Sequence, residues 1–364
     1  MSRLDNLRSK MAEKKLDALI VSQRNNVRYL SGFIESEDFD AILLVSAADA
    51  RLATDSRYWS AAEQQARGFV LVKTIRGEYD ATDAIRDFAT QTGAKRIGYE
   101  ANHVPVARFL AYKKAARKAG AKLVPTSDLV ELLRAVKDPE ELAAIRRAVE
   151  LTDRAFEHFC SQARPGMTEK QGAWVIESFM RENGGESIAF ESIVASGPNA
   201  ALPHAVPTDR AFETGEPITV DIGVRLDGYN SDLTRTVCLG QPGDKFKEIY
   251  GLVLKANETV EKKARAGLRG KKVDAYARKV IERAGYGDYF GHGLGHGVGL
   301  AVHELPRASK VAKDVLEPNM TLTVEPGIYL PEWGGVRIED LVVIGEKAVE
   351  VLSKASKDPV VKVL

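Results

Sequence analysis

The chain of 364 residues carries 52 basic and 51 acidic side chains, and its net charge of +1 gives no indication of a nucleic-acid-binding surface. Its length is large for one hydrophobic core and favours two domains. Cys160 and Cys238 have neither metal-binding nor disulfide spacing, and no segment has the apolar length of a signal peptide or a membrane span, so we expect a cytoplasmic protein that contacts no membrane.

The first part of the chain alternates short apolar runs with helical patterns. Residues 17–22 and 41–45 are typical of buried strands, whereas residues 104–119 have the periodicity of a helix. Such alternation indicates an α/β domain. Pro139 then stands at the first turn of a long helical pattern, residues 140–164. The sequence therefore predicts an α/β amino-terminal domain (1–130), a linker (131–139) and a carboxyl-terminal domain (140–364).

Two aspartates lie on a predicted β-hairpin of the second domain. Residues 218–225 are rich in β-branched side chains, and Asp227-Gly228 is a dipeptide that favours a tight two-residue turn. With that turn, Asp221 faces Thr234 on the returning strand, and Asp232 lies two residues away on the same face. Taken alone, this pair fits convergent metal ligands and a solvated hairpin equally well.

Two glutamates interrupt apolar strands further along the chain. Glu325 ends the run 321–325, and Glu339 lies inside the run 336–343. A chain reversal centred near Glu332 would set Glu325 opposite Glu339. Because a carboxylate inside an apolar strand is costly to bury unless it is paired or binds a cation, this second pair favours a metal site.

A glycine-rich segment, residues 289–307, holds three of the chain's six histidines. Its alternating glycines disfavour a stable helix and let the backbone approach a ligand closely. The segment contains no G-x-G-x-x-G nucleotide-binding frame. It does not match the zinc-protease motif H-E-x-x-H either, because Arg307 stands where the second histidine is required and Pro306 breaks the helix. The clustering favours functional histidines over ordinary loop residues.

The resulting set of candidate ligands has four carboxylates and one imidazole: Asp221, Asp232, His296, Glu325 and Glu339. Such a set suits Mn²⁺, Co²⁺, Fe²⁺ or Zn²⁺ better than a thiolate-selective site would. Two divalent metals, about 3.5–4 Å apart, activate water and polarise a carbonyl in hydrolytic enzymes. We therefore expect two divalent metal ions per subunit, with Mn²⁺ first and Co²⁺ or Zn²⁺ as alternatives.

At these residues the chain resembles the creatinase, aminopeptidase P and prolidase group, the pita-bread metallopeptidases. The resemblance rests on five segments of the second domain and two of the first: 220–223, 231–236, 292–306, 324–329, 335–340, 25–33 and 54–58. It implies an α+β pita-bread catalytic domain with a curved antiparallel sheet. It also implies that the preceding α/β domain is of the creatinase type and ribonuclease-H-like.

The resemblance further implies an activity and a ligand arrangement. The activity is hydrolysis of the bond before proline, in a small peptide with proline at the second position. Asp221 and Asp232 would bind one metal, and His296, Glu325 and Glu339 the other, with bridging carboxylates. A homodimer is usual in the group. Around the substrate, the resemblance marks further residues: His204 and His303 for catalysis, and His292, Arg307 and Tyr329 for substrate binding.

Catalytic roles can be assigned from side-chain chemistry. His303 can donate a hydrogen bond to the oxyanion of a tetrahedral intermediate. Glu325 can carry a proton toward the leaving proline nitrogen. Arg337 lies two residues before Glu339 on the same strand face, so its guanidinium can bind a metal carboxylate. Arg307 is the candidate partner for the proline carboxylate.

Alternatives within and outside this activity stay open. Creatinase has the amino-terminal domain but lacks the metal ligands, so the different-class alternatives are a metal-free amidinohydrolase and a non-catalytic binding module on the same fold. The filled ligand positions argue against both. The modest chain length favours an Xaa-Pro dipeptidase, or prolidase, over an aminopeptidase P that acts on longer peptides.

An acidic loop, residues 35–40, follows the family-like motif at residues 29–32. On composition alone it is a solvated turn. In this family the amino-terminal domain of one subunit can reach the active site of the other. We therefore expect Glu37 and Asp38 to bind the ammonium group of a dipeptide, a charged hydrogen bond that contributes ~1.5–3 kcal/mol.

Overall fold

The computed structural model describes residues 2–34 and 38–362. The chain divides into two compact units, Met1–Arg134 and Ala135–Leu364. The domain bounds expected from the sequence, with a linker at 131–139, stay a prediction. Among the described residues, no helix combines the length and the apolar character that crossing a membrane requires.

The first unit is built on a six-stranded mixed sheet with the strand order β4-β3-β2-β1-β5-β6. Its strands are β1 (Ala18–Val21), β2 (Ala41–Ser46), β3 (Ala50–Thr54), β4 (Val70–Lys73), β5 (Arg96–Glu100) and β6 (Lys122–Thr126). Its helices are α1 (Arg3–Glu13), α2 (Arg24–Ser31), α3 (Trp59–Gln65), α4 (Ala81–Thr92) and α5 (Val106–Lys118), and α6 (Leu129–Ala135) follows at its end.

Complete burial explains why the central strands of this sheet were recognisable in the sequence. Every residue of β1 and β2 is buried, and strands covered on both faces are continuous apolar runs rather than alternating ones. The strands predicted at 17–22 and 41–45 and the helix predicted at 104–119 are confirmed as β1, β2 and α5.

The second unit combines four α-helices with short strands in several small sheets. The helices are α7 (Pro139–Gln162), α8 (Glu169–Glu182), α9 (Asp244–Glu261) and α10 (Gly270–Arg283). The strands are β7 (Ser187–Ile188), β8 (Ile193–Ser196), β9 (Ile218–Ile222), β10 (Val224–Leu226), β11 (Tyr229–Asn230), β12 (Leu233–Leu239), β13 (Gly295–Gly297), β14 (Glu304–Ala308), β15 (Thr321–Val324), β16 (Gly327–Leu330), β17 (Gly334–Arg337), β18 (Asp340–Ile344), β19 (Val349–Val351) and β20 (Val360–Val361).

The helix predicted after Pro139 is confirmed as α7. Asp138 caps it, because its side chain accepts a hydrogen bond from the Glu141 amide, and Glu141 in turn accepts one from the Asp138 amide. Pro139 occupies the first turn, where a missing N–H leaves no bond unmade.

The first predicted hairpin has the expected turn and register. Asp227 and Gly228 have φ angles of 52° and 79°, the left-handed values that a tight type I′ turn requires at both positions. The strands that follow pair Asp221 with Thr234, as predicted. Asp232 lies immediately before β12, on the returning strand.

The second predicted chain reversal is also confirmed. Val324 pairs with Asp340 in the β15–β18 ladder, and Gly327 pairs with Arg337 in the β16–β17 ladder. Since both ladders keep one register, Glu325 and Glu339 lie opposite each other between them. Glu332 at the tip has a φ of 64°, consistent with a reversal centred there.

Two apolar clusters cover the outer faces of these hairpins. One packs side chains of α9 and α10 against β15 to β18, and the other packs α7 and α8 against β9 and β12. The hairpins are therefore fixed from behind by helices.

Candidate metal centre

Several strand segments deliver the predicted ligands to one cavity of about 490 Å³. Asp221 lies in β9, His296 in β13, and Glu325 directly after β15. Asp232 and Glu339 directly precede β12 and β18. All five side chains line this cavity. The structure thus brings together the complete predicted ligand set, from segments more than 100 residues apart in the chain.

Backbone hydrogen bonds join the segments at the ligands themselves. The Glu339 amide donates to the Thr234 carbonyl oxygen at 3.0 Å, which ties the second acidic pair to the first hairpin. The Glu325 amide donates to the Leu294 carbonyl oxygen at 3.0 Å, beside the segment that carries His296. Relative movement of the ligand-bearing strands would break these bonds.

The imidazole of His296 points its free nitrogen at the carboxylates. Its Nε2 lies 3.5 Å from Glu325 Oε1 and 3.7 Å from Asp232 Oδ2, and the ligand atoms of Asp232, His296 and Glu339 lie within 4.8 Å of one another. On the other side of the ring, Nδ1 donates to the Gly297 carbonyl at 3.1 Å. Burial lowers the pKa of His296 to about 4. The neutral ring therefore presents an Nε2 lone pair, as a metal-binding histidine does.

Burial and mutual repulsion act together on the carboxylates. Burial, followed by the charge of Glu339, raises the pKa of Asp232 well above its usual value, and burial raises the pKa of Glu325 to about 8. Oδ1 of Asp221 is buried and accepts no hydrogen bond from any described residue. Buried carboxylates are costly unless a cation offsets their charge. The donor set therefore fits divalent metal ions with oxygen and imidazole preference.

A chain of hydrogen bonds runs from Asp221 through Arg337 and Tyr329 to His292, which also lines the cavity. Arg337 donates through Nη2 to Asp221 Oδ2 at 2.6 Å and through Nη1 to the Tyr329 hydroxyl at 2.8 Å. The Tyr329 hydroxyl lies 2.8 Å from His292 Nε2, and His292 Nδ1 lies 2.7 Å from the Gly293 carbonyl. Since a carbonyl can only accept, Nδ1 carries the proton and Tyr329 donates to Nε2. Burial, followed by Arg337, lowers the pKa of His292 to about 4, in agreement with a neutral ring.

The other predicted substrate residues divide into two groups. His204 and His303 line the cavity, and the His303 ring centroid lies 4.2 Å from that of His296. Partial burial lowers the pKa of His303. Arg307 is exposed on β14, where its backbone pairs with His296, and it is not among the cavity-lining residues. Tyr329 also lies outside the lining and reaches the cavity through His292.

The glycines of the 289–307 segment serve contacts between neighbouring chain segments. A Cβ atom at Gly295 would overlap the Thr323 carbonyl oxygen, and one at Gly297 would overlap the Leu305 carbonyl oxygen. None of the alternating glycines has a positive φ. The segment therefore requires glycine for close packing of the backbone and not for positive φ angles.

Sequence reasoning missed one wall of the cavity. This wall lies next to Asp221, because β8 pairs with β9 and sets Ile193 opposite Asp221. With it, the lining side chains that the sequence did not indicate are mostly apolar: Phe190, Glu191, Ile193, Pro203, Ala205, Val206 and Val302. The apolar run 193–195, which precedes a predicted metal-binding strand in the chain, was the one feature of the sequence that could have indicated this wall.

The acidic loop was expected to bind the substrate ammonium. Residues 35–37, and hence Glu37, lie outside the described part of the chain. Asp38 is exposed, and its carboxylate accepts a hydrogen bond from the Arg24 amide at 3.3 Å. The ammonium-binding role stays a prediction.

Two family matches cover most of the chain. Residues 143–346 match metallopeptidase family M24, and residues 3–136 match the creatinase/prolidase N-terminal domain. The M24 match lies within the second unit of the fold, and the creatinase/prolidase match covers almost all of the first unit.

Full-length relatives agree with these matches. The chain is similar to the solved structure of an Xaa-Pro dipeptidase from Bacillus anthracis, with a TM-score of 0.93 and 38% identity over 98% of each chain. It is also similar to the solved X-Pro aminopeptidase from Thermotoga maritima MSB8, with a TM-score of 0.87 and 37% identity over 98% of this chain and 100% of that one. An Xaa-Pro dipeptidase of Pyrococcus furiosus is 35% identical over 98% of this chain and 99% of its own length.

Proposed function

Because the chain belongs to metallopeptidase family M24, with a creatinase/prolidase amino-terminal domain, we propose that it hydrolyses the peptide bond before proline in Xaa-Pro dipeptides. The protein is a peptidase and its family implies divalent metal binding. The observation that carries the proposal is the convergence of four carboxylates and one unprotonated imidazole in a single cavity, in a chain similar along its length to Xaa-Pro dipeptidases.

Two divalent ions are proposed for this cluster, held by Asp221, Asp232, His296, Glu325 and Glu339. We propose Mn²⁺ as the physiological ion, with Co²⁺ or Zn²⁺ as alternatives, because four carboxylates outweigh one imidazole in the donor set. Bound ions supply Lewis-acid activation of the scissile carbonyl and of the attacking water.

The chain's own side chains supply positioning and proton transfer. His303 donates a hydrogen bond to the scissile carbonyl oxygen as negative charge develops there. Glu325 holds the proton that passes to the leaving proline nitrogen. Arg337 fixes the orientation of Asp221 through its 2.6 Å bond. His204, which lines the cavity near His303, is a second hydrogen-bond donor to the substrate.

His292, Tyr329 and Arg307 are proposed to hold the dipeptide outside the bond that is cleaved. His292 contacts the substrate from the cavity lining, and Tyr329 orients it through their 2.8 Å bond. Arg307 is proposed as the partner of the proline carboxylate. Its side chain is exposed on β14, where its backbone pairs with His296.

Hydrolysis of Ala-Pro compared with Ala-Pro-Ala tests the proposal. The metal-loaded protein should hydrolyse Ala-Pro with the higher kcat/KM, and the Asp232→Asn variant should hydrolyse neither peptide. Equal or faster release of alanine from the tripeptide would identify an Xaa-Pro aminopeptidase instead, the alternative supported by the likeness to the Thermotoga maritima enzyme.

Metal analysis tests the different-class alternative, a non-catalytic binding module. A module of that kind would purify without metal, and its melting temperature would ignore added Mn²⁺ or Co²⁺. The converging ligand set favours the enzyme.

We also propose a homodimer in the cytoplasm. The homodimer rests on the family resemblance, and sedimentation velocity would test it. The location rests on the two free cysteines, Cys160 and Cys238, because unpaired thiols are typical of reducing compartments.

A further inference from the structure

One carboxylate in the cavity wall has no partner among the described residues. Glu191 lines the cavity but lies outside the proposed ligand set, and its side chain makes no hydrogen bond or ion pair within residues 2–34 and 38–362. Phe190, which precedes it, and Ile193, two residues later, also line the cavity and are apolar. An exposed carboxylate without a partner attracts a cationic group of a bound substrate over a neutral one, although water weakens the attraction.

An Xaa-Pro dipeptide can offer Glu191 two cationic groups, its α-ammonium group or the head group of a lysine or arginine side chain. Ile193 pairs with Asp221, and Glu191 precedes Ile193 by two residues. At about 3.3–3.6 Å per residue, its Cα lies within about 7 Å of that of Ile193, so Glu191 lines the cavity in the segment next to the ligand Asp221. The α-amino nitrogen of an Xaa-Pro dipeptide is bound to the carbon next to the scissile carbonyl and must stay close to the cluster. The cationic head group of a lysine or arginine can lie farther from the ligand cluster, by up to the length of its side chain.

The other charged groups of the cavity would be neutralised by the proposed metal ions or are already paired, so Glu191 is available to bind a substrate cation. Two divalent ions would balance the four ligand carboxylates, and the guanidinium of Arg337 is already bonded to Asp221. Among the lining carboxylates in the described part of the chain, Glu191 is thus the one that neither the proposed metal ions nor Arg337 would neutralise.

We propose that Glu191 is a specificity-determining residue that favours lysine or arginine as the residue before proline. The inference rests on the proposed Xaa-Pro hydrolysis and names the substrate class within it. Because Glu191 is exposed, water screens the ion pair, and the preference it creates is modest.

Lys-Pro and norleucyl-Pro form a matched substrate pair for the test, because norleucine has the lysine chain without the ammonium group. The parent enzyme should show a roughly fivefold higher kcat/KM for Lys-Pro, in line with an exposed ion pair. Glu191→Gln should bring the ratio close to one. Glu191→Lys should reverse it and favour Glu-Pro. High salt should weaken the preference of the parent.

Glu182→Gln is the control variant. Glu182 is an exposed carboxylate at the end of α8 and is not among the cavity-lining residues, so its loss should leave the substrate ratio unchanged. Melting curves of each variant check that it is folded.

Each other result overturns the inference. A KM that rises equally for all dipeptides in Glu191→Gln would show that Glu191 binds the α-ammonium group instead. A parent that hydrolyses Ala-Pro without preferring Lys-Pro, and a variant with the parent's ratio, would refute this inference and leave the proposed function standing. A parent that hydrolyses no Xaa-Pro dipeptide would overturn the proposed function and this inference together.

Discussion

Arg337 holds two of the proposed metal-binding carboxylates at once. It bonds Asp221 directly, and its Nε donates to Thr234 Oγ1 at 3.1 Å. The Thr234 hydroxyl in turn donates to Glu339 Oε2 at 2.6 Å. The Arg337 side chain is only 4% exposed, and a planar guanidinium with this many fixed partners has a single orientation. The geometry of the carboxylates is therefore set by neutral and cationic donors behind them, as in known metal sites.

Neutralising a ligand carboxylate should weaken metal binding and abolish turnover while the protein still folds. In Glu339→Gln and Asp232→Asn, we expect loss of turnover, because each replaces a charged ligand by a near-isosteric amide. Each variant without metal should melt no lower than the parent without metal, since burial and neighbouring carboxylates raise the pKa of both groups and penalise their charged forms.

The measurement is a melting curve with and without Mn²⁺. At a metal concentration 100-fold above Kd, the parent should gain about 2.7 kcal/mol for each ion bound, and the variants should gain less. Dialysis against a chelator should abolish parent activity, and added divalent metal should restore it. Full activity in the chelated protein would refute the metal-dependent mechanism.

His303 should matter for turnover rather than for metal binding. It lines the cavity beside His296, yet no carboxylate of the ligand set lies in an ion pair with it in the described structure. His303→Ala should therefore lower kcat by an amount typical of a lost oxyanion donor, about 2.7–4 kcal/mol of barrier. Calorimetric Mn²⁺ titration should give nearly the parent Kd. A metal content that falls in step with activity would make His303 a ligand.

At the scale of elements, the hairpin registers were predictable and the contacts between hairpins were not. The Asp227-Gly228 turn fixes the pairing of Asp221 with Thr234 through local chain geometry, which a sequence displays. The approach of Gly295 to the Thr323 carbonyl joins two separate strand pairs, and it depends on tertiary packing that no local pattern encodes. The pairing of β13 with β14 even shifts register between His296 and Gly297, an irregularity that alternation cannot reveal.

Two glycines of the glycine-rich segment, residues 289–307, should differ in their tolerance of alanine. Gly295→Ala should destabilise the protein by about 1–3 kcal/mol, the usual cost of overpacking, because the new methyl group overlaps the Thr323 carbonyl next to His296. Gly291→Ala is the matched control, since its Cβ would meet nothing within 4 Å and its φ is not positive.

Chemical denaturation of both variants would compare their stability, and Mn²⁺ titration would compare their metal binding. Gly295→Ala should also weaken metal binding, because it displaces the strand that carries His296. Equal stability of the two variants would show that β13 has room to move away from β15.

For the whole chain, the sequence was informative where function demands unusual residues. Carboxylates inside apolar strands and clustered histidines identified the metal centre, because burying such groups is costly without a ligand. The support behind the centre was not predictable. Asp153 on α7 accepts hydrogen bonds from the Lys354 and Ala355 amides, and Arg235 donates to the Ala355 carbonyl at 2.9 Å. These partners are ordinary in type and lie 120 or more residues apart.

The carboxyl-terminal segment contacts residues behind the metal centre through Lys357. Its ammonium group lies 2.7 Å from Asp340 Oδ2 and 3.0 Å from Glu261 Oε1, and it donates to Asn257 Oδ1 at 2.8 Å. Asn257 in turn donates to the Val324 carbonyl at 2.9 Å. Asp340 follows Glu339 and Val324 precedes Glu325, so one lysine near the end of the chain supports the backbone beside two proposed ligands.

Lys357→Met should therefore weaken metal binding from behind the site. The substitution keeps the aliphatic stem but leaves Asp340 with Arg235 as its remaining ionic partner, at 2.8 Å. We expect a loss of stability of about 1.5–3 kcal/mol, the range for hydrogen bonds to charged groups. The Kd for Mn²⁺ should rise by about tenfold, the lower end of effects seen for groups that orient ligands. Lys354→Met is the control, because the Lys354 ammonium donates to the Val351 carbonyl and is exposed. If both variants lose stability equally and keep the parent's Kd, Lys357 holds only the chain terminus, and Asn257 and Arg235 suffice to position Glu325 and Glu339.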